Sequence, residues 1–237
     1  MEEFLNKRKS RLVAVSLLII LSVVVIFAGS RLYSQYREQV IRTEESQLLT
    51  MAGIVGNNLN SYMEQQLEEI DLFYSQEGMP ENVWAESGGI NARTAYFLKE
   101  NAGVYNWITV TEPDGTKFRY EPGKKTFRES ADGEVKAVDS QDGNHPAEIT
   151  GKEISDQTGW YELYIEKNIP VGSEVYMLTF AMDLGALYEK IVAPVKIGEA
   201  GYSSVKDQNM NIIMHHVKNQ IGLEAVDGRI ERYPYLD

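Results

Sequence analysis

Apolar positions are unevenly spread along the chain. Leu12 to Gly29 (LVAVSLLIILSVVVIFAG) is an 18-residue run without a charge, at the lower end of what crosses a bilayer as a helix. Lys7, Arg8, Lys9 and Arg11 precede it. The positive-inside rule then keeps residues 1–11 in the cytoplasm, spans the membrane with 12–30 and places the remainder outside. A cleaved signal peptide ending at Ala28-Gly29-Ser30 is the alternative; the length of the apolar run favours a retained anchor.

Beyond the run the period becomes helical. No proline occurs between Arg31 and Tyr74, and Leu48, Ala52, Val55, Leu59 and Tyr62 recur at 4-3-4-3 spacing, one stripe of an amphipathic helix. Leu67, Ile70 and Tyr74 continue it on a rotated face. The pattern predicts a long helix over 31–77, closed by Gly78-Met79-Pro80. For 48–74 it packs on its own domain; 31–47 is a stalk leaving the membrane. Glu81 to Lys99 reads as one or two further helical pieces, broken at Ser87-Gly88-Gly89.

After Gly103 the period shortens to two. Trp107–Val110, Glu112-Pro113-Asp114-Gly115 and Thr116–Tyr120 predict strand, turn and strand, with Asp-Gly in the turn. Residues 121–159 hold five glycines and few large apolar residues, a long loop or short strands and turns. Trp160–Ile165 and Glu174–Met182 read as strands. Asp183 is placed to cap a short helix, Leu184–Val192, and Pro194 closes the unit. A second strand–turn–strand runs from Tyr202 to His215, repeating the first hairpin 95 residues later: Glu112 matches Asp207, Asp114 matches Asn209 and Val110 matches Val205.

Charge and composition narrow the function classes. The 237 residues carry a net charge of −12, with no cysteine. Without residues 1–30, 19 basic and 33 acidic side chains remain, a net of −14. An acidic body lacks the basic face that electrostatic nucleic-acid binding needs. It is not drawn to anionic lipid either. Thiolate metal sites and a cysteine nucleophile are excluded. Of the histidines, His145 lies in a glycine-rich loop, and His215 and His216 alternate faces on a strand. No Gly-x-x-x-x-Gly-Lys, His-x-x-x-His or acidic calcium loop is present. No metal, no cofactor and no catalysis are expected of this stretch.

The order of features resembles the Cache sensor domains of bacterial transmembrane receptors, in their double-Cache form. The residues carrying the resemblance are Lys196-Ile197-Gly198-Glu199-Ala200-Gly201-Tyr202 through Ile212-Ile213-Met214-His215, similar to the opening of a module, and Phe180-Ala181-Met182-Asp183-Leu184, similar to the corner closing one. The resemblance implies an α+β fold. Membrane anchor and long amphipathic helix lead to a PAS-like antiparallel sheet module over 78–194, then to the start of a second, incomplete module over 195–237. It also implies a homodimeric, extracytoplasmic small-molecule sensor in the bacterial cell membrane. Its output domain, of histidine kinase, chemoreceptor or cyclic-dinucleotide synthase type, would lie beyond residue 237. Two positions depart from the pattern. Met210 stands where the turn usually has Gly, and Thr158 where an Arg often holds a ligand carboxylate.

Trp107, Tyr120, Trp160, Tyr161, Tyr164 and Tyr176 fall on the predicted strands. They serve as sheet core or as the wall of a pocket. Strand alternation sets Trp160 and Tyr161 on opposite faces. By resemblance, Tyr161, Tyr164 and Asp183 bind the ligand, Trp160 is a wall, and Asp183 accepts from an amine or hydroxyl unless it is only a helix cap. Tyr120 is a further lining candidate, and Arg119 is the nearest cation for an anionic ligand. Two other classes stay open: a membrane-anchored or secreted interaction or structural protein without a small-molecule ligand, and an anchored hydrolase.

Overall fold

The structure is a computed structural model and describes residues 2–75, 89–124, 127–128, 145–196, 201–226 and 229–230. Helix α1 runs without interruption from Glu2 to Tyr74. The stretches read separately as anchor and stalk are therefore one element; no proline or paired glycine separates them. By chain contacts the protein divides into two units, Met1–Ile54 and Val55–Asp237. In the first, the described apolar side chains from Leu17 to Phe27 are all exposed, and α1 is long and apolar enough to cross a membrane. The expected break at 78–80 and the 197–200 part of the second opening motif lie outside the described residues.

In the second unit, the stripe read from spacing becomes buried from Val55 onward. Val55, Leu59 and Tyr62 pack with Trp160, Leu184 and Tyr188, and Leu67, Ile70 and Tyr74 pack on the sheet. Arg93 donates to the Phe73 carbonyl and lies 4.9 Å over the Phe73 ring. It thus covers the C-terminal end of α1, where unpaired carbonyls and the helix dipole favour a cation. Arg93 belongs to α2, Gly89–Glu100, which buries Ile90, Thr94, Phe97 and Leu98.

The sheet is antiparallel with strand order β3-β2-β1-β6-β5-β4. Its strands are β1 Tyr105–Thr111, β2 Lys117–Tyr120, β3 Phe127–Arg128, β4 Glu148–Ile154, β5 Tyr161–Val171 and β6 Glu174–Asp183. β1 and β2 form the expected hairpin around Asp114-Gly115, and Gly115 takes a left-handed φ of +85°. β4 lies in the stretch 121–159, for which the sequence leaves a long loop or short strands and turns open. Its side chains are almost all exposed, so this edge strand carries no apolar alternation to betray it. β5 begins one residue later and runs six further than the Trp160–Ile165 reading.

One face of the sheet is the core. Tyr74, Phe97, Tyr105 and Phe180 meet there with ring centroids 5.6 to 6.0 Å apart. Ile108, Val110, Ile165, Ile169 and Leu178 fill the space around them. Two buried polar contacts join this face to α1. Tyr105 donates to Gln66 Oε1 at 3.2 Å, and Lys167 Nζ pairs with Asp71 Oδ1 at 2.8 Å.

After β6, Asp183 caps α3, Leu184–Leu187, and a π-turn over Tyr188–Val192 completes the predicted short helix. The second hairpin, β7 Val205–Lys206 and β8 Ile212–Met214, is shorter than read. Its turn nevertheless copies the first. Glu112 N donates to Thr116 O and Gly115 N to Glu112 O; 95 residues on, Asp207 N donates to Asn211 O and Met210 N to Asp207 O. A 3-10 turn follows at Lys218–Gln220, then a two-stranded ribbon, β9 Ala225–Val226 and β10 Arg229–Ile230.

Candidate functional site

The opposite face of the sheet carries polar and aromatic groups. Alternation along β1 sends Trp107 and Thr109 away from Ile108 and Val110. Register places Trp107 and Tyr164 on either side of Ala181, and Arg119 beside Thr109. The methyl of Ala181 lets the two rings meet over it, with centroids 5.6 Å apart. The Arg119 guanidinium stacks on the Trp107 ring at 4.2 Å, and its Nε lies 3.2 Å from Glu121 Oε1.

Glu162 anchors this cluster and is only 6% exposed. Asn106 Nδ2 donates to one carboxylate oxygen at 2.7 Å, and Trp107 Nε1 to the other at 3.2 Å. These bonds compensate a carboxylate that burial would otherwise penalise. Glu153 and Asp183 flank Glu162 across the ladder. Tyr164 donates to Glu153 Oε2 at 3.0 Å. Burial, reinforced by that acidic acceptor, pushes the Tyr164 hydroxyl up to about 12.

Asp183 has two settings at once. Its Oδ1 accepts from Gly185 N at 2.9 Å, the cap expected of it. Burial raises its proton affinity and Glu162 adds to the rise, opposed by the Gly185 hydrogen bond and by Lys218. It also borders a cavity of about 220 Å3 lined by Tyr62, Ala102 to Val104, Met182, Ala186, Leu187 and Lys190. Lys190 Nζ lies 4.5 Å over the Tyr62 ring.

The structure therefore brings Arg119 and Tyr164 together and sets Asp183 at the edge of their cluster. It separates the other three candidates. Tyr120 lies on the core face, 6% exposed, with its hydroxyl on Asn91 Oδ1 at 2.7 Å. Trp160 precedes β5, so alternation does not govern it. Its ring packs against Tyr188 at 5.2 Å, and a Cβ at Gly185 would meet it at 2.7 Å. Tyr161, expected on the opposite face, packs against the same cluster as Trp160 and lies 5.8 Å beneath Lys152 Nζ. Sequence reasoning missed Glu162, Asn106 and Glu153. The signal for Glu162 was an acid between Tyr161 and Leu163 in the stretch Trp160–Ile165, whose other side chains are aromatic or aliphatic.

No protein-family model and no curated protein matches the chain. Solved structures do. A domain of a sensory box/GGDEF family protein from Vibrio parahaemolyticus superposes with TM-score 0.52 at 15% identity, covering 76% of this chain and 74% of that one. The extracellular domain of a histidine kinase superposes with TM-score 0.52 at 14% identity, covering 74% and 70%. A long N-terminal helix laid on an antiparallel sheet, a capped corner after β6 and a second hairpin repeating the first make this chain an α+β protein with a PAS/Cache-like fold, shared with these two domains.

Proposed function

We propose that the chain is the sensing region of a bacterial membrane receptor and that its ligand is a small polar molecule. The carrying observation is the half-buried cluster of Trp107, Arg119, Glu162 and Tyr164 on the sheet face away from α1, with Asp183 on its border. Such a cluster offers what a small-ligand site needs: aromatic walls and a few fixed charges. Arg119 takes an anionic group of the ligand; Glu162 and Asp183 take a cationic or hydroxylic one. The anchor over 12–30 holds the sensor to the bilayer with 31–237 outside. Occupancy passes to an output domain through α1, as a shift between two arrangements of the first module. Two copies pair along the part of α1 that keeps Leu32, Tyr33 and Tyr36 exposed. The runner-up, an anchored or secreted interaction protein without a small ligand, has no comparable cluster to support it among the described residues.

The full chain in detergent, screened by thermal shift against amino acids, polyamines and dicarboxylates, tests the reading. At about 100 times Kd a specific ligand adds about 2.7 kcal/mol, a shift of a few degrees. Arg119→Ala and Tyr164→Phe should lower or abolish the shift while the unliganded Tm stays near wild type. A shift that survives both variants would refute the site. No shift across the three classes would favour the interaction protein.

A further inference from the structure

His215 follows β8 and is fully buried. Its Nδ1 accepts from the Val217 N–H at 3.0 Å, and the Val217 carbonyl lies 3.3 Å from the same nitrogen. A ring that accepts at Nδ1 carries its proton on Nε2. That Nε2 is buried without a hydrogen-bond partner among the described residues. Above the ring sit Tyr202, with centroids 4.8 Å apart, and His216 at 4.6 Å.

Among the described residues, the surroundings hold no counter-ion for a protonated ring. The charge that acts on His215 is that of His216, which has the same sign. Of the other charged groups on neighbouring elements, Asp207 is engaged by Lys152 and by its own turn. Lys218 donates to the Thr158 carbonyl at 3.0 Å. Lys206 on β7 is a further cation, and Glu224 stands beyond Asn211, to which it bridges.

We infer that His215 is an acid-released latch holding the second hairpin against the first module. A proton added at Nδ1 removes the acceptor of the Val217 N–H and turns the ring into a donor, for which the Val217 carbonyl is the acceptor within reach. The carbonyl already lies within reach, so the cost falls on the Val217 N–H, which loses its acceptor and is left facing a ring N–H. Val217 leads directly into the 3-10 turn that carries Lys218 to Thr158 and Ile221 into the cluster with Trp160, Leu184 and Tyr188. Protonation at one buried ring thereby loosens the contact between hairpin and module.

The direction follows from burial, which is the main cause lowering the proton affinity of His215, with His216 adding to it. The folded pKa lies below the ordinary value of 6.5. Stability from the neutral ring is complete above pH 6.5 and declines as pH falls below it.

His215→Asn keeps an acceptor for the N–H two residues on and removes the titration. The full chain in detergent is compared at pH 7.5 and 5.0 by melting and by amide exchange, corrected for intrinsic rates, with His216→Asn as control. Wild type and His216→Asn should lose protection in 214–222 and 158–160 on acidification, about tenfold for each unit by which the folded pKa is lowered. His215→Asn should lose much less. Parallel losses in all three proteins, or losses confined elsewhere, would overturn the proposal. If His215→Asn does not fold, the ring titration of wild-type His215 by NMR decides. A pKa below 6.5 together with a concurrent change at the Val217 amide supports the latch, and a pKa at or above 6.5 rejects it.

Discussion

Met210 is the described non-glycine residue with a left-handed backbone, at φ +65°, in the place where Gly115 holds +85° in the first hairpin. An L side chain there costs about 1–2 kcal/mol, and a glycine costs about 0.5–1 kcal/mol in unfolded-chain entropy. Met210 is 41% exposed and so has little packing to lose. Met210→Gly should therefore stabilise the chain by several tenths of a kcal/mol to about 1 kcal/mol, and Met210→Ala should not. Denaturant melts of the two variants check this; a gain in the alanine variant would locate the benefit elsewhere. Gly185 makes the opposite case. A Cβ there meets Trp160 Cγ at 2.7 Å. Gly185→Ala should cost about 1–3 kcal/mol, and Gly185→Ala in a Trp160→Ala background should cost clearly less if that contact is the cause.

At the scale of elements, α1 is tied to β5 by a buried ion pair. Lys167 is 4% exposed, and Asp71 Oδ1 receives both its ammonium and the Ala147 N–H at 2.8 Å. Removing one partner of a buried pair costs about 3–5 kcal/mol. Asp71 is a third exposed, so screening brings the expectation for Asp71→Ala to about 2–3 kcal/mol. Lys167→Met removes the buried charge itself and should cost less, which chemical denaturation resolves. A second link, Lys152 Nζ to Asp207 Oδ2 at 2.5 Å, joins β4 to the turn of the second hairpin. It is the main reason the Asp207 carboxyl is held at about 2, with the Asn211 and Asn209 bonds adding to it. A depressed carboxylate contributes stability above its ordinary value near 3.8, lost as pH falls toward 2. Lys152→Met should lower the melting temperature at pH 7 but leave little difference from wild type near pH 2. An equal difference at both pH values would remove the pair from the account.

For the whole molecule, the two faces of one sheet divide the work. The core face holds α1 through Gln66, Ile70, Asp71 and Tyr74, while the other gathers Trp107, Arg119, Glu162 and Tyr164. β5 is shared: Glu162 and Tyr164 point one way, Ile165 and Lys167 the other. At the proposed site, a ligand that shifted β5 by a fraction of an ångström would therefore bear on α1 through the same strand. In the proposed membrane-anchored arrangement, orientation would rest on Lys7, Arg8, Lys9 and Arg11. Replacing all four with Glu should invert a fraction of the chains, measured by protease access to 31–237 in intact cells.

Local pattern made much of this legible. The apolar run, the 4-3-4-3 stripe, Asp114-Gly115 and the Asp183 cap are consequences of neighbours in sequence, because helical period, turn backbone and capping act over a few residues. The repeat at 95 residues was visible in Glu112 and Asp207, and the shared hydrogen bonds of the two turns bear it out. The position of β4 within 121–159 was not legible, because its pairing with β5 is long-range and its side chains are almost all exposed. Arg119 and Tyr120, named together, are adjacent in a strand and so cannot share a face.

What sequence alone determined is the long helix, the two hairpins, the β5 and β6 strands, the capped short helix and their order, since each rests on short-range backbone and patterning rules. Which side chains meet was decided only by the tertiary structure. Strand register put Trp107 and Tyr164 across Ala181 and gave Glu162 its two donors. The packing of α3 drew Trp160 away from the sheet. Register and packing join residues tens of positions apart, and no local period encodes which of them will touch.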